Sequence, residues 1–162
     1  MPVPLRSSKS RSPFHLLLVE DEFADAELFT ELISETSGGI VVHHVSNGQE
    51  ALRFLAREGG HVHAPFPDLI VLDLNMPVMS GHEFLKRAKN DDRARAIPVL
   101  VLSTSDNPRD IQKSYHEYAS GYVVKPGSFS EYRDLLNVIE GYWRGAVRLP
   151  TLEQVGAAPA DL

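Results

Sequence analysis

Cysteine is absent from this chain of 162 residues, which removes disulfides, thiolate metal sites and cysteine nucleophiles, and fits a reducing cytosol. Positive charge is also in short supply. Sixteen Lys and Arg stand against 22 Asp and Glu, a formal charge of -6, so the basic face that neutralises a phosphate backbone is missing and nucleic acid is not an expected partner. No apolar run approaches the roughly 20 residues needed to cross a bilayer, so a soluble, cytoplasmic chain without a membrane partner is expected. The first apolar run stops at Glu20. The preceding Ser-rich segment with Arg6, Lys9 and Arg11 therefore lacks the hydrophobic region and cleavage site of a signal peptide, and residues 1–13 read as a flexible basic arm.

What is present is a hydrophobic content of 43%, enough for one domain that buries roughly 70% of its unfolded surface. That domain is expected over 14–144. Residues 145–162, with Gly145, Leu149-Pro150, Gly156 and Pro159, read as an extended tail with no effector domain. Between the tails, short apolar runs alternate with stretches of helical period, the pattern of repeated βα units. Five units are counted, with strands over 15–20, 40–45, 69–73, 99–102 and 122–124. The first helix is expected over 23–36, with Ala26, Phe29, Leu32 and Ile33 inward and Gly38-Gly39 stopping it. A second opens at Asn47-Gly48, a third after Ser80-Gly81, a fourth near Asn107-Pro108 and a fifth runs from about 130 to 143. The connection over 58–67 is too rich in Gly and Pro for a helix. Right-handed crossovers then give an α/β, doubly wound (βα)5 sandwich whose five-stranded parallel sheet has the flavodoxin-like order 2-1-3-4-5.

In such a sheet the carboxyl ends of the strands form one crevice where ligands bind. The chemistry-bearing residues fall there. Leu69-Ile70-Val71-Leu72 ends in Asp73, Leu16-Leu17-Leu18-Val19 in Glu20-Asp21-Glu22, Val99-Leu100-Val101-Leu102 in Ser103, and Tyr122-Val123-Val124 in Lys125-Pro126. Taken singly each is ordinary: Asp73 can form a turn, Asp21 can cap a helix, Ser103 can cap its loop, and Lys125 can sit in solvent. Their coincidence at strand ends points to function. Three carboxylates in a small volume repel one another, and a hard divalent cation relieves that. Mg²⁺ is the natural choice because it takes oxygen ligands and keeps several waters. Asp21 and Asp73 are expected as direct ligands, the Asn75 carbonyl as a third, and Glu20 through a water. Asp73 can then act as a carboxylate nucleophile toward phosphorus, with Lys125 as a point charge against the phosphoryl group. Ser103 supplies a hydroxyl, Tyr122 moves with its loop, and Pro126 offers a cis bond whose isomer the sequence does not decide. The added phosphoryl charge shifts a population rather than driving turnover, so an enzyme is not expected.

From about His15 to Trp143 the chain resembles the receiver domain of two-component response regulators, a CheY-like fold. The resemblance rests on Val19-Glu20-Asp21, Val71-Leu72-Asp73-Leu74-Asn75-Met76-Pro77 with Gly81, Leu102-Ser103, and Gly121-Tyr122-Val123-Val124-Lys125-Pro126. It implies that Asp73 accepts a phosphoryl group from a phosphohistidine on a sensor histidine kinase. Glu20 replaces the commoner Asp and Ser103 the frequent Thr, and both keep the needed atoms. The connection over 59–67, Leu102-Ser103-Thr104-Ser105, and Ile139-Glu140-Gly141-Tyr142-Trp143 with Leu149-Pro150 look like the single-domain response regulators of bacterial and cyanobacterial phytochromes. That likeness implies a bacteriophytochrome kinase as partner and a homodimer through the fourth and fifth helices and tail, with Tyr132, Tyr142 and Trp143 as candidate surface, although Phe129, Tyr132, Leu136, Ile139 and Trp143 repeat at three and four residues and that stripe reads first as core, leaving only its outward members for a dimer. The alternative is a phosphate-independent pseudo-receiver, a binding module that reads its partner by contact alone. A flavin carrier would need a hydroxyl-rich loop where Glu20-Asp21-Glu22 stands, and an Asp-nucleophile phosphatase a second acid where Asn75 stands. His61 and His63 read as surface histidines, and no role is assigned to His43-His44.

Overall fold

Two of the apolar runs become strands with every residue buried, which is what a parallel sheet covered on both faces requires: β3 (Leu69–Leu72) and β4 (Val99–Ser103). The computed structural model describes residues 13–36 and 38–150, so the expected basic arm, apart from Pro13, and the tail beyond 150 lie outside the described residues. The remaining elements are β1 (Phe14–Val19), α1 (Phe23–Thr36), β2 (Ile40–Val45), α2 (Gly48–Ala56), α3 (Gly81–Asn90), α4 (Pro108–His116), β5 (Gly121–Val124) and α5 (Phe129–Glu140). All sheet pairings are parallel and the order is β2-β1-β3-β4-β5. This is the CheY-like α/β architecture that the alternation predicts.

Alternate residues of each strand feed two cores. Leu16, Leu18, Leu69, Val71, Leu100 and Leu102 meet α1 and α5, while Leu17, Val19, Ile70, Leu72, Val99 and Val101 meet α2 and α3. The helix starts are set by side-chain caps. Asn47, Ser80, Asn107 and Ser128 each accept a hydrogen bond from a backbone N–H in the first turn of α2, α3, α4 and α5.

Several expectations need correction. Glu20 and Asp73 lie one residue beyond their strands rather than within them, and Ser103 belongs to β4. The 58–67 connection holds a single 3₁₀ turn, Gly59–His61. α5 ends at Glu140, and the chain widens into a π-helical turn, Gly141–Ala146, where an unbroken helix to Trp143 is predicted. Within that turn Trp143 packs toward the α1–α5 core while Tyr142 remains exposed, their rings edge to face at 5.1 Å. Tyr132 is not a surface residue: it is 7% exposed and part of that core, because α5 turns the Tyr132, Leu136, Ile139 stripe onto the sheet. Phe129, predicted on the same stripe, is 54% exposed.

Candidate functional site

Register brings the acids together. Val19 pairs with both Val45 and Leu72, so β1 and β3 finish level. The ladder then runs one step further: the Glu20 N–H donates to the Val45 carbonyl at 3.1 Å, the Asp73 N–H to Val19 at 3.0 Å, and the Lys125 N–H to Ser103 at 2.7 Å. Each of these expected site residues is thereby hung from the neighbouring strand before its side chain enters the crevice. The loop after Asp73 is drawn in tightly. The Gly81 N–H donates to the Leu74 carbonyl at 2.9 Å, and a Cβ on Gly81 would stand 2.5 Å from the Asp73 carbonyl oxygen. Only glycine allows α3 to begin that close to the end of β3. Val78 in this loop has φ +70°, a costly conformation for a β-branched residue, beside a Met79 N–H to Pro77 carbonyl bond of 2.8 Å.

One carboxylate oxygen from each of Glu20, Asp21 and Asp73 lies within 4.8 Å of the others. The cleft they open into has a volume of about 210 Å³ and is also lined by Glu22, Asp25, Asn75, Thr104 and Lys125. Burial pushes the Glu20 carboxyl up to about 7; the Lys125 hydrogen bond opposes this and the Asp73 charge adds to it. Asp73 is likewise raised by burial, against the pull of Lys125 and the Asn75 N–H, which donates to its Oδ1 at 3.4 Å. Lys125 itself is driven down by burial, but its partners Glu20, Asp73 and Asp25 outweigh that and hold it above the usual lysine range. Its Nζ lies 2.8 Å from Glu20 Oε2 and 3.4 Å from Asp25 Oδ2. One ammonium therefore offsets only part of a three-carboxylate charge.

Asp21 Oδ1 is buried and has no hydrogen-bond partner. Such an acceptor is expensive to leave unpaired, and an acidic triad with an orphaned oxygen is the donor set a hard divalent cation needs. The residues present fit such an ion, with Glu20, Asp21 and Asp73 as its holders.

The remaining expected site residues are placed less simply. Ser103 is fully buried, and its Oγ accepts the Ser105 N–H at 3.2 Å, so Thr104 rather than Ser103 lines the cleft. The Tyr122 hydroxyl donates to the Ser105 carbonyl at 2.7 Å, tying β5 to the 103–105 loop. Among the described residues every peptide bond is trans, Lys125–Pro126 included, so a cis Pro126 does not occur. Two residues were missed. Asp25 stands four residues after Asp21 in the first turn of α1, and helical spacing alone could have flagged it. His44, given no role from sequence, places Nε2 2.7 Å from the Glu20 carbonyl oxygen, to which it donates. Its neighbour His43 faces the opposite way, with Nε2 3.0 Å from His15 Nδ1. His61 makes a long contact with Glu50 at 3.4 Å and joins no metal cluster among the described residues.

A parallel sheet of this order, carrying an acidic triad, a half-buried lysine and a buried serine at its carboxyl edge, defines the receiver class of signalling domains. The chain belongs to the response regulator receiver domain family, whose model matches residues 16–137. It is 34% identical to response regulator Rcp1 of Synechocystis sp., over 89% of this chain and 98% of that protein. It is 35% identical to the probable methanogenesis regulatory protein FilR2 of Methanothrix harundinacea, over 88% of this chain and 91% of that one. Among solved structures, the phosphorylated cyanobacterial phytochrome response regulator RcpA superposes with a TM-score of 0.82 at 37% identity, covering 86% of this chain and all of that one. The Mn²⁺-bound form of Rcp1 gives 0.80 at 35%, with the same coverage. Among the described residues no helix is long and apolar enough to cross a membrane.

Proposed function

We propose that the chain is a phosphoacceptor switch in which Asp73 takes a phosphoryl group from a sensor histidine kinase. The observation that carries this is the meeting of Glu20, Asp21, Asp73 and Lys125 in one cleft, three acids and a lysine drawn from the ends of β1, β3 and β5. Mg²⁺ is the proposed cation, held by Asp21 and Asp73, with the Asn75 carbonyl as a third donor and Glu20 acting through water. When bound it supplies positive charge to phosphoryl oxygens. An Asp73 carboxylate oxygen forms the new P–O bond as the P–N bond of the kinase phosphohistidine breaks, and the departing imidazole nitrogen keeps the electron pair. Lys125, already seated between Glu20 and Asp25, turns toward the incoming group as a point charge. A hydroxyl from Ser103 or its neighbour Thr104 donates to a phosphoryl oxygen as the 103–105 loop moves, and Tyr122 follows because its hydroxyl is bonded to that loop.

The likeness to phytochrome response regulators supports a bacteriophytochrome as the kinase, acting in the cytoplasm on this receiver. Output would pass by conformational switching and protein contacts. A homodimer face over α4, α5 and the following turn would use Tyr142, which is 53% exposed, with Trp143 beneath it and Tyr132 excluded by burial. Persistence of a monomer at all accessible concentrations in light scattering would remove the dimer.

A second reading, a phosphate-independent pseudo-receiver, draws on the buried Ser103 hydroxyl and on a Lys125 already paired with Glu20. Intact-mass measurement after incubation with acetyl phosphate separates the two. The phosphoacceptor reading expects an adduct on the wild type that needs Mg²⁺ and is absent from Asp73→Asn. No adduct from acetyl phosphate or from a phosphorylated histidine kinase moves the protein to the second reading.

A further inference from the structure

α4 buries no apolar side chain: among its nine residues only Ser114 is buried, bonded through Oγ to the Asp110 carbonyl at 2.7 Å. A continuous run of polar contacts holds the helix instead. It begins at the 103–105 loop, where Ser105 Oγ donates to Asp110 Oδ2 at 2.6 Å. The other oxygen, Asp110 Oδ1, lies 3.6 Å from Nε2 of His82, the second residue of α3. His82 Nδ1 lies 2.9 Å from Glu117 Oε2 at the C-terminal end of α4. The imidazole thus bridges the two ends of α4, and its side chain is only 13% exposed.

The geometry constrains the ring. Glu117, as a carboxylate, only accepts, so Nδ1 must carry a proton. In neutral His82 the lone pair of Nε2 then faces the Asp110 carboxylate, at a distance too long for a hydrogen bond, and this buried nitrogen has no other partner. The imidazolium ion reverses that: Nε2–H faces an anionic oxygen at ion-pair distance, and both carboxylates then meet a positive charge. Those two acids are the charged groups that α4 turns toward His82. On α3, Glu83 is paired outward with Arg87. On α2, Glu50 is occupied by Arg53 and His61. The segment between Asp73 and α3 carries no charge.

We propose that His82 is a positioning residue which, through Asp110, sets where Ser105 and the 103–105 loop stand, and that protonation of His82 couples this loop to the α3–α4 contact. With the second proton on, His82 pins Asp110, Asp110 holds the Ser105 hydroxyl, and the Ser105 carbonyl keeps the Tyr122 hydroxyl. The loop is retained in the position seen here. Removing the proton frees Asp110 and with it the loop. The inference rests on the phosphoacceptor reading only where loop position is taken to matter for Asp73.

The test has an arm that does not depend on phosphorylation. NMR of the unphosphorylated protein follows the His82 ring signals and the Ser105 and Tyr122 amides as pH is varied. The expected result is one shared midpoint in the wild type. In Asp110→Asn the Ser105 and Tyr122 amides should lose that step while His82 still titrates. A His82 that titrates without moving Ser105 in the wild type overturns the proposal. In the second arm the phosphorylated fraction with acetyl phosphate and Mg²⁺ is compared for wild type and His82→Gln. Glu20 and Asp73 titrate in both proteins, so the signal is the difference between the two pH profiles. Below the His82 midpoint the wild type should reach a phosphorylated fraction about fivefold lower than the variant, and above it the two should agree. Superimposed profiles overturn the coupling to Asp73. A shared NMR midpoint with no adduct at any pH, from acetyl phosphate or from a phosphorylated histidine kinase, supports the His82 link and overturns the phosphoacceptor reading instead.

Discussion

α5 and α4 flank the same strand, β5, yet they are fastened by different forces. α5 drives Tyr132, Leu136 and Ile139 into the core shared with α1, whereas α4 is tied by Ser114, Asp110, Glu117 and the His82 bridge. Apolar burial is non-directional and is lost only by opening the core. Hydrogen bonds and ion pairs are directional and have alternative partners close in energy. α5 is therefore fastened by its core, whereas α4 is held by contacts that can be exchanged, and α4 adjoins the 103–105 loop.

The largest expected effect comes from α5. Leu136→Ala should cost about 2–5 kcal/mol in urea unfolding, because the fully buried side chain leaves a cavity on the sheet. Ser114→Ala, the matching cut in α4, should cost about 1 kcal/mol. Equal losses would erase the contrast between the two helices.

The acidic end of the sheet is next in size. Glu20 has its carboxyl raised to about 7 from 4.5, so the folded state keeps a proton that the unfolded chain releases between those values. Stability of the metal-free protein should be greatest below pH 4.5 and fall by about 1–3 kcal/mol as pH rises through 7. Asp73 acts in the same direction. Added Mg²⁺ should restore the loss at pH 7 and not at pH 4.5, because the ion must displace those protons. A flat metal-free profile would show that the triad carries no strain, and Glu20→Gln should flatten it deliberately.

Gly81→Ala tests whether the site end is as rigid as α5. The new methyl meets the backbone of Asp73 and Leu74, so a loss of about 1–3 kcal/mol is expected, with a weakened response to Mg²⁺. A neutral outcome would mean that the loop after Asp73 yields as α4 does. Smallest is Tyr122→Phe, which removes one hydroxyl bond to Ser105 and should cost about 0.5–1.5 kcal/mol. Its sharper signature is a change in the Ser105 amide shift, which is the α4 side of the comparison read directly.

Much of this is legible in the sequence. Strand periodicity and the punctuation by Gly, Asn and Ser located every strand and helix start to within a residue or two. Parallel register made the convergence of Glu20, Asp21, Asp73 and Lys125 follow from where the apolar runs end. α5 was harder at its end, since Gly141-Tyr142-Trp143 continues a helical spacing that the chain abandons for a π-helical turn. For Tyr132 the core reading of its helical spacing holds and the surface role implied by the family likeness does not, because α5 turns that stripe onto the sheet.

The sequence by itself determined the order of elements, the two-sided burial of the central strands and which acids and lysine meet at the carboxyl edge of the sheet, because these follow from local periodicity and from the ends of apolar runs. Only the tertiary structure decided that Lys125 rests between Glu20 and Asp25, that Ser103 turns inward while Thr104 faces the cleft, and that His82 bridges Asp110 and Glu117. Those contacts join residues far apart in the chain. They depend on how helices are rotated against the sheet, a quantity that side-chain packing sets and that no local pattern encodes.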